Sequence, residues 1–473
     1  MGNSVMRNVK GALCVQCGAE FEAGKETYTC TKCGGILEIV YDYDYIKTLV
    51  SREKFSAVKD FSMWRYLDFL PIEEGTRPGP LRVGWSPLYK TCALGRALGL
   101  DNLYIKDDGI NPTSSLKDRA SAIAAARAFH AGKNTVACSS TGNAASSLAG
   151  AAASMGLKSV IFVPERAPQG KLTQLLIFGA VVISVKGDYG AAFRLSAQAI
   201  EKYHWYNRNA AINPYLSEGK KTVSMEIAEQ LGLMAQGLMA HGLMTHDLAA
   251  RDLAAHDLAA QGPAPQGFLA PDFVAVSVGD GCTIAGVWKG FKDLYAVGLI
   301  DKLPRLVSVQ ASGCCPVNRA VNRAAEQGAK GGRALIEPME ENTLADSIAV
   351  GLPRNGDKAV AAIRESNGIT VNVSDDEILN AMRLLGKNAG IFGEPAGAAG
   401  TAGLAKAASR GLIPHNALVV SIVTGNGLKD IASGQKAAGI AGAVPDRSAE
   451  SKLIRIEPDM DLLAGEFAKM GIA

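Results

Sequence analysis

One lysine sits in the stretch richest in chemistry, Asn111-Pro112-Thr113-Ser114-Ser115-Leu116-Lys117-Asp118-Arg119, where a hydroxyl-rich turn delivers it just ahead of a helical run. An exposed ammonium stays protonated near its reference pKa of about 10.4, whereas Schiff-base chemistry needs the free amine, so a dry mouth between loop and sheet suits Lys117. The alternative, a surface lysine after a helix cap, applies only if this loop stands alone.

Three further stretches accompany it. Ser139-Ser140-Thr141-Gly142-Asn143 follows a short strand and opens a small-residue helix, so its amides and hydroxyls face an anion at a positive helix end; a substrate carboxylate is the natural guest. An ordinary cap with Asn143 as the capping residue is equally compatible with that pattern. Gly279-Asp280-Gly281-Cys282-Thr283 follows a strand ending at Val278 and precedes a helix over Ile284 to Leu294, the arrangement in which backbone N–H groups cradle a phosphate. Asp280 is awkward beside an anion and is expected to point away. Finally, Val423-Thr424-Gly425-Asn426-Gly427-Leu428-Lys429-Asp430 puts the Thr424 hydroxyl at the carboxyl edge of a strand, where ligands of open α/β sheets collect.

Elements must hold these loops together. From about Ser86 to Lys429, β-branched runs alternate with alanine-rich stretches, which predicts an α/β architecture with a mostly parallel sheet. Strands are expected at Asn102 to Lys106, Thr135 to Ala137, Ser159 to Val163, Val181 to Val185, Phe273 to Val278, Leu306 to Gln310 and Leu418 to Val423, with helices such as Asp118 to Ala131 and Ala144 to Met155 between them. A chain of 473 residues is long enough for two or three domains. We divide it into a ribbon-like module over 1–45, a large domain over 46–117 and 211–473, and a small mobile domain over 118–210, with a ligand in the cleft between the last two.

Cys14-x2-Cys17 and Cys30-x2-Cys33 form two knuckles twelve residues apart, each followed by glycine. Four soft ligands at this spacing suit one tetrahedral Zn²⁺, and a closed four-thiolate site is structural because it leaves no coordination position for water. The same ribbon shape without metal is the other reading. A low-complexity insertion over 232–270 repeats every five residues (LMAQG, LMAHG, LMTHD, LAARD, LAAHD, LAAQG), which turns successive leucines by roughly 140° on a helix and builds no single apolar face. It carries His241, His246 and His256 at spacings that share no helical face, so it reads as a surface insertion and not a metal site.

Composition narrows the partners. With 49 Lys and Arg against 46 Asp and Glu, the formal charge is +3, and no basic footprint for nucleic acid or an anionic membrane exists. No apolar run is long enough to span a bilayer, and the opening residues lack the apolar core of a signal peptide. Nine cysteines, an odd number, give no disulfide framework, so a cytoplasmic protein acting on a small molecule is expected. His130, His204 and His415 sit in no nucleophile arrangement, and Cys138, Cys282, Cys314 and Cys315 lack a histidine partner set by any motif.

The combination of an N-terminal ribbon, SSLKDRAS, SSTGNAASS, the glycine turn and VTGNGLKD resembles the β-family, or fold-type II, of pyridoxal-phosphate enzymes and, within it, the threonine synthase family. The likeness spans nearly everything except the repeat insertion. It implies that Lys117 holds pyridoxal 5′-phosphate and moves protons, that Asn143 meets the cofactor's 3′-oxygen, and that Gly279, Asp280, Gly281, Cys282 and Thr283 cradle its phosphate. Thr424 would meet the pyridine nitrogen, and Ser139, Ser140, Thr141 and Gly142 the substrate carboxylate. The implied reaction is conversion of O-phospho-L-homoserine and water to L-threonine and phosphate by γ-elimination and β-addition of water, in a homodimer.

One departure stands out. Where some relatives follow an Asn-Pro element with a phosphate-holding arginine, this chain reads Asn213-Pro214-Tyr215-Leu216-Ser217-Glu218-Gly219-Lys220-Lys221, leaving Lys220, Lys221 or Arg166 to supply the charge. Two alternatives follow: another reaction on the same scaffold (threonine or serine dehydration, diaminopropionate deamination, or cysteate-synthase-like β-replacement on phosphoserine), or a zinc-ribbon interaction protein that binds ligands without catalysis.

Overall fold

The computed structural model describes all residues except 1–5, 23–26, 166–168, 188, 211, 238–266, 328–333, 440–453, 455 and 471–473. Most of the repeat insertion, its three histidines and Arg166 therefore lie outside the described residues.

The N-terminal module is an antiparallel sheet of β1 (Val9–Cys14), β2 (Glu20–Glu22) and β3 (Leu37–Tyr41), in the order β2-β1-β3. β4 (Leu88–Lys90) and β5 (Asn102–Asp107) begin a large sheet. The chain then leaves it for a small sheet of β6 (Thr135–Ser139), β7 (Lys158–Pro164), β8 (Val181–Val185) and β9 (Tyr206–Asn207), in the order β8-β7-β6-β9 and parallel throughout. It returns with β10 (Phe273–Ser277), β11 (Arg305–Ala311), β12 (Ile369–Val373) and β13 (Leu418–Val423), giving the order β12-β11-β10-β13-β5-β4. Only the edge pairing of β4 with β5 is antiparallel.

The apolar runs form strands because both faces are covered. Every residue of β10 and β13 is buried, the signature of a parallel sheet with helices on either side. The helix Lys117–His130 shows why alanine dominates the connecting stretches: Ala120, Ala124 and Ala128 belong to the core of the small sheet, while Ala122, Ile123 and Ala126 belong to that of the large one. A helix pressed between two cores needs small side chains on both faces to let its neighbours close in.

Within the large and small sheets, three strands escaped the expectation. β4 and β9 have only three and two residues, too few for a periodic signal, and β12 alternates Ile-Thr-Val-Asn-Val at a sheet edge where three of its five residues keep some exposure.

Candidate active site

Lys117 opens its helix with no side-chain cap, and the residues beside it explain how it is held. Asp118 accepts from the Thr113 amide at 2.7 Å and from the Thr113 hydroxyl, closing the loop ahead of the lysine. Arg119, wholly buried, donates two bonds to Asp108 and two to Glu226, and Glu226 also pairs with Lys106 at 2.7 Å. The loop is further sewn to the end of β13, with the Leu116 amide on Thr424 O at 2.9 Å and the Asn426 amide on Ser114 O at 3.1 Å. A rigid backbone thus fixes where the lysine starts.

The half-buried Lys117 side chain lines a cavity of about 480 Å³ between the two sheets. Ser139, Ser140, Thr141, Gly142 and Asn143 line it from the small-sheet side; Gly279, Asp280, Gly281, Cys282, Thr283 and Thr424 line it from the large. The four stretches read from the sequence therefore converge on one space. Burial strips water from the Lys117 amine, and the Lys220 ammonium repels its proton, so its pKa falls from 10.5 to about 7. Near neutrality a large fraction of this lysine is already the free amine.

The glycine turn ends in Gly281 at φ +92°, where a side chain would also stand 2.7 Å from Asn355 O, and the helix Cys282–Ala296 begins there without a side-chain cap. Its first amides are left for a ligand. Asp280 does point away from the cradle: its two oxygens accept from the Arg354 amide at 2.8 Å and from Asn355 Nδ2 at 2.7 Å. Cys282 lies 3.1 Å from Ser217 Oγ and is buried.

The capping alternative for Asn143 fails. Gly142 takes the cap position, Asn143 is the first helical residue, and its amide nitrogen reaches Glu394 Oε1 at 2.6 Å. Glu394, just ahead of the helix Pro395–Ser409, was not anticipated, although Glu-Pro followed by Gly397, Gly400 and Gly403 signals a helix that must lie close on a sheet. Asn209 was also missed: its Oδ1 accepts from the Ser139 amide at 3.0 Å, while its Nδ2 is a buried donor without a hydrogen-bond partner among the described residues. The far rim, with Glu341, Asp346, Ser347 and Arg354, comes from an irregular stretch that carries no motif. Of the candidate cations, Lys220 lines the cavity, whereas Lys221 is turned away into ion pairs with Asp293 at 2.6 Å and Glu218 at 3.0 Å.

In the ribbon, the sulfurs of Cys14, Cys17, Cys30 and Cys33 lie within 4.8 Å of one another, with Cys14 to Cys33 at 3.5 Å and Cys17 to Cys30 at 3.6 Å. Burial pushes the Cys14 thiol up, but the amides of Cys17 and Gln16 aimed at its sulfur bring it down to about 7. The module is bolted to the helices Tyr215–Lys220, Cys282–Ala296 and Gly356–Glu365 by ion pairs and a hydrogen bond: Glu38 on β3 meets Lys289 and Lys358 at 2.6 Å each, and Tyr41 donates to Glu218 at 2.8 Å.

Fold and site define a class. An amine of lowered proton affinity, an uncapped helix end behind a glycine turn and an orphaned amide donor around one cavity fit a small anionic aldehyde such as pyridoxal phosphate. The family model described as pyridoxal-phosphate dependent enzyme matches residues 80–242 and 253–425. Among solved structures, the chain is similar to the processed form of threonine deaminase isoform 2 from Solanum lycopersicum (TM-score 0.55, 21% identity, covering 76% of this chain and 88% of that one). It is also similar to diaminopropionate ammonia lyase from Escherichia coli (TM-score 0.55, 18% identity, 82% and 92%). Both likenesses speak for the fold alone. Curated relatives go further: the threonine synthase of Methanocaldococcus jannaschii is 36% identical over 453 residues, 95% of this chain and 97% of that protein. That of Methanosarcina acetivorans is 37% identical over 419 residues, 88% and 91%. The chain belongs to the pyridoxal-phosphate-dependent enzymes of fold-type II and, within them, to the threonine synthase family.

Proposed function

We propose that the protein converts O-phospho-L-homoserine and water to L-threonine and phosphate, using pyridoxal 5′-phosphate. The observation that carries this reading is the Lys117 amine, lowered to about 7, facing one cavity with the glycine turn, the Ser139 to Gly142 turn and Thr424. When bound, the cofactor supplies the electron sink that lets protons leave Cα and Cβ and phosphate leave Cγ.

In this reading Lys117 anchors the cofactor and, once freed by the substrate, accepts and returns protons at its Nζ, a task suited to a pKa near neutrality. The backbone amides of Gly279 to Thr283 hold the cofactor phosphate, with the Asp280 carboxylate kept occupied elsewhere. Asn143, oriented by Glu394, presents its amide to the 3′-oxygen. Ser139, Ser140, Thr141 and Gly142 take the substrate carboxylate at the uncapped start of the helix Asn143–Ser154. Thr424 offers the pyridine nitrogen a neutral hydroxyl, which does not enforce protonation as a carboxylate would. The small domain over 118–210 closes on the large one to exclude water until the addition step.

The ribbon is read as one structural zinc site, since four sulfurs at about 2.3 Å from a zinc ion stand roughly 3.8 Å apart, close to the separations seen. Nine free cysteines support a reducing, cytoplasmic setting, and no helix among the described residues is long and apolar enough to cross a membrane. A homodimer completes the reading.

Phosphate release tests it. Purified enzyme is assayed with O-phosphohomoserine, with phosphoserine plus sulfite, and with threonine. Threonine and phosphate forming together from the first substrate is the expected result; phosphate appearing with phosphoserine alone overturns the substrate choice.

A further inference from the structure

Lys220 ends the short helix Tyr215–Lys220, is 2% exposed and lines the cavity. Among the described residues its ammonium has no hydrogen bond and no ion pair. Its neighbour makes the contrast plain: Lys221 is equally buried but holds Asp293 and Glu218 and lies 3.8 Å from the centre of the Tyr41 ring. A lysine that is packed away almost entirely, and whose ammonium meets no carboxylate where it lines the cavity, leaves that charge to be matched by a ligand, so the wall is built to receive an anion.

The position says which kind of anion. A Cβ placed on Gly286, in the second turn of the helix Cys282–Ala296, would stand 3.2 Å from Lys220 Cβ, so the lysine leaves its own helix beside the uncapped end of the cradle helix. Lys220 is also the strongest charge acting on the Lys117 amine. The four acidic groups on the cavity wall have other work: Glu394 accepts from Asn143, Asp280 from Arg354 and Asn355, Glu341 from the Gly351 amide, and Asp346 from the Ser347 hydroxyl. Converging amides and an ammonium match the charge and donor count of a phosphate dianion.

We propose that Lys220 is a phosphate-binding residue of this cavity, its ammonium acting together with the free amides at the start of the helix Cys282–Ala296. The phosphate belongs to the cofactor or to the substrate, and the chemistry at Lys220 is the same for both. The substrate arm rests on the reaction proposed above; the cofactor arm does not.

Lys220→Met and Lys220→Arg are compared with the parent. Apo-protein is titrated with pyridoxal phosphate and with pyridoxal, following absorbance; holoenzyme is assayed for the KM of O-phosphohomoserine and for inhibition by inorganic phosphate. A loss of about tenfold or more in affinity for pyridoxal phosphate but not for pyridoxal in Lys220→Met, restored by arginine, assigns the cofactor's phosphate. A comparable rise in KM and in the inhibition constant of inorganic phosphate, with cofactor affinity unchanged, assigns the substrate's. If the folded Lys220→Met protein keeps both cofactor affinity and phosphate inhibition within about twofold, the proposal is overturned. Failure of the parent to turn over O-phosphohomoserine defeats the proposed reaction, whereas the cofactor titration still decides whether Lys220 holds the cofactor's phosphate.

Discussion

Asn143 Nδ2 donates to Glu394 Oε1 at 2.6 Å, joining the first residue of one helix to the residue that precedes another, 251 positions away. The Glu394 charge also acts on Lys117, favouring its protonated form against the burial and the Lys220 charge that oppose it. Glu394→Gln keeps an oxygen for Asn143 and removes only the charge. The pH midpoint for reconstitution of apo-protein with pyridoxal phosphate, about 7 in the parent, is expected to fall in this variant. A midpoint that stays or rises refutes the electrostatic role.

Lys117 itself links pH to stability. Its folded pKa of about 7 lies below its ordinary 10.5, so between those values the unfolded chain carries a proton that the folded apo-protein does not. Stability therefore rises with pH across that window through this group, and the burden it imposes is largest below about pH 7. Lys117→Met should be more resistant to urea than the parent apo-protein at neutral pH and lose roughly half of the gain on going to pH 9. Lys117→Ala is expected to abolish the cofactor's bound absorbance band and to cut turnover by roughly 10² to 10⁴.

Arg119 and Lys106 balance Asp108 and Glu226 with no exposure to water. Removing one cation leaves an uncompensated buried carboxylate, so Arg119→Leu is expected to lose about 3–5 kcal/mol in urea unfolding. A loss below about 1 kcal/mol would mean that this network does not hold the Lys117 helix in place.

Metal analysis of the purified chain should find one zinc per chain, absent from a Cys14→Ser, Cys30→Ser double variant. Because Glu38 and Tyr41 tie the ribbon to Lys289, Lys358 and Glu218, chelation is expected to lower the thermal midpoint of the whole protein and not melt the ribbon separately. Two resolved calorimetric transitions would contradict that coupling.

Signals carried within a few residues are legible in the chain alone: the Lys117 loop, the glycine turn from Gly279 to Gly281, the strand-ending Thr424 and the four cysteines all announce themselves through their neighbours. So does the α/β alternation, because a strand covered on both faces must be apolar over its whole length. Tertiary structure decided what spacing cannot encode. Adjacent lysines at a helix end project in directions about 100° apart, so Lys220 enters the cavity while Lys221 meets Asp293. Glu394 and Asn209 gain meaning only from partners far away in sequence, Asn143 and Ser139. The proton affinity of Lys117 was likewise settled by packing, since burial and a nearby ammonium depend on which surfaces meet once the chain has folded.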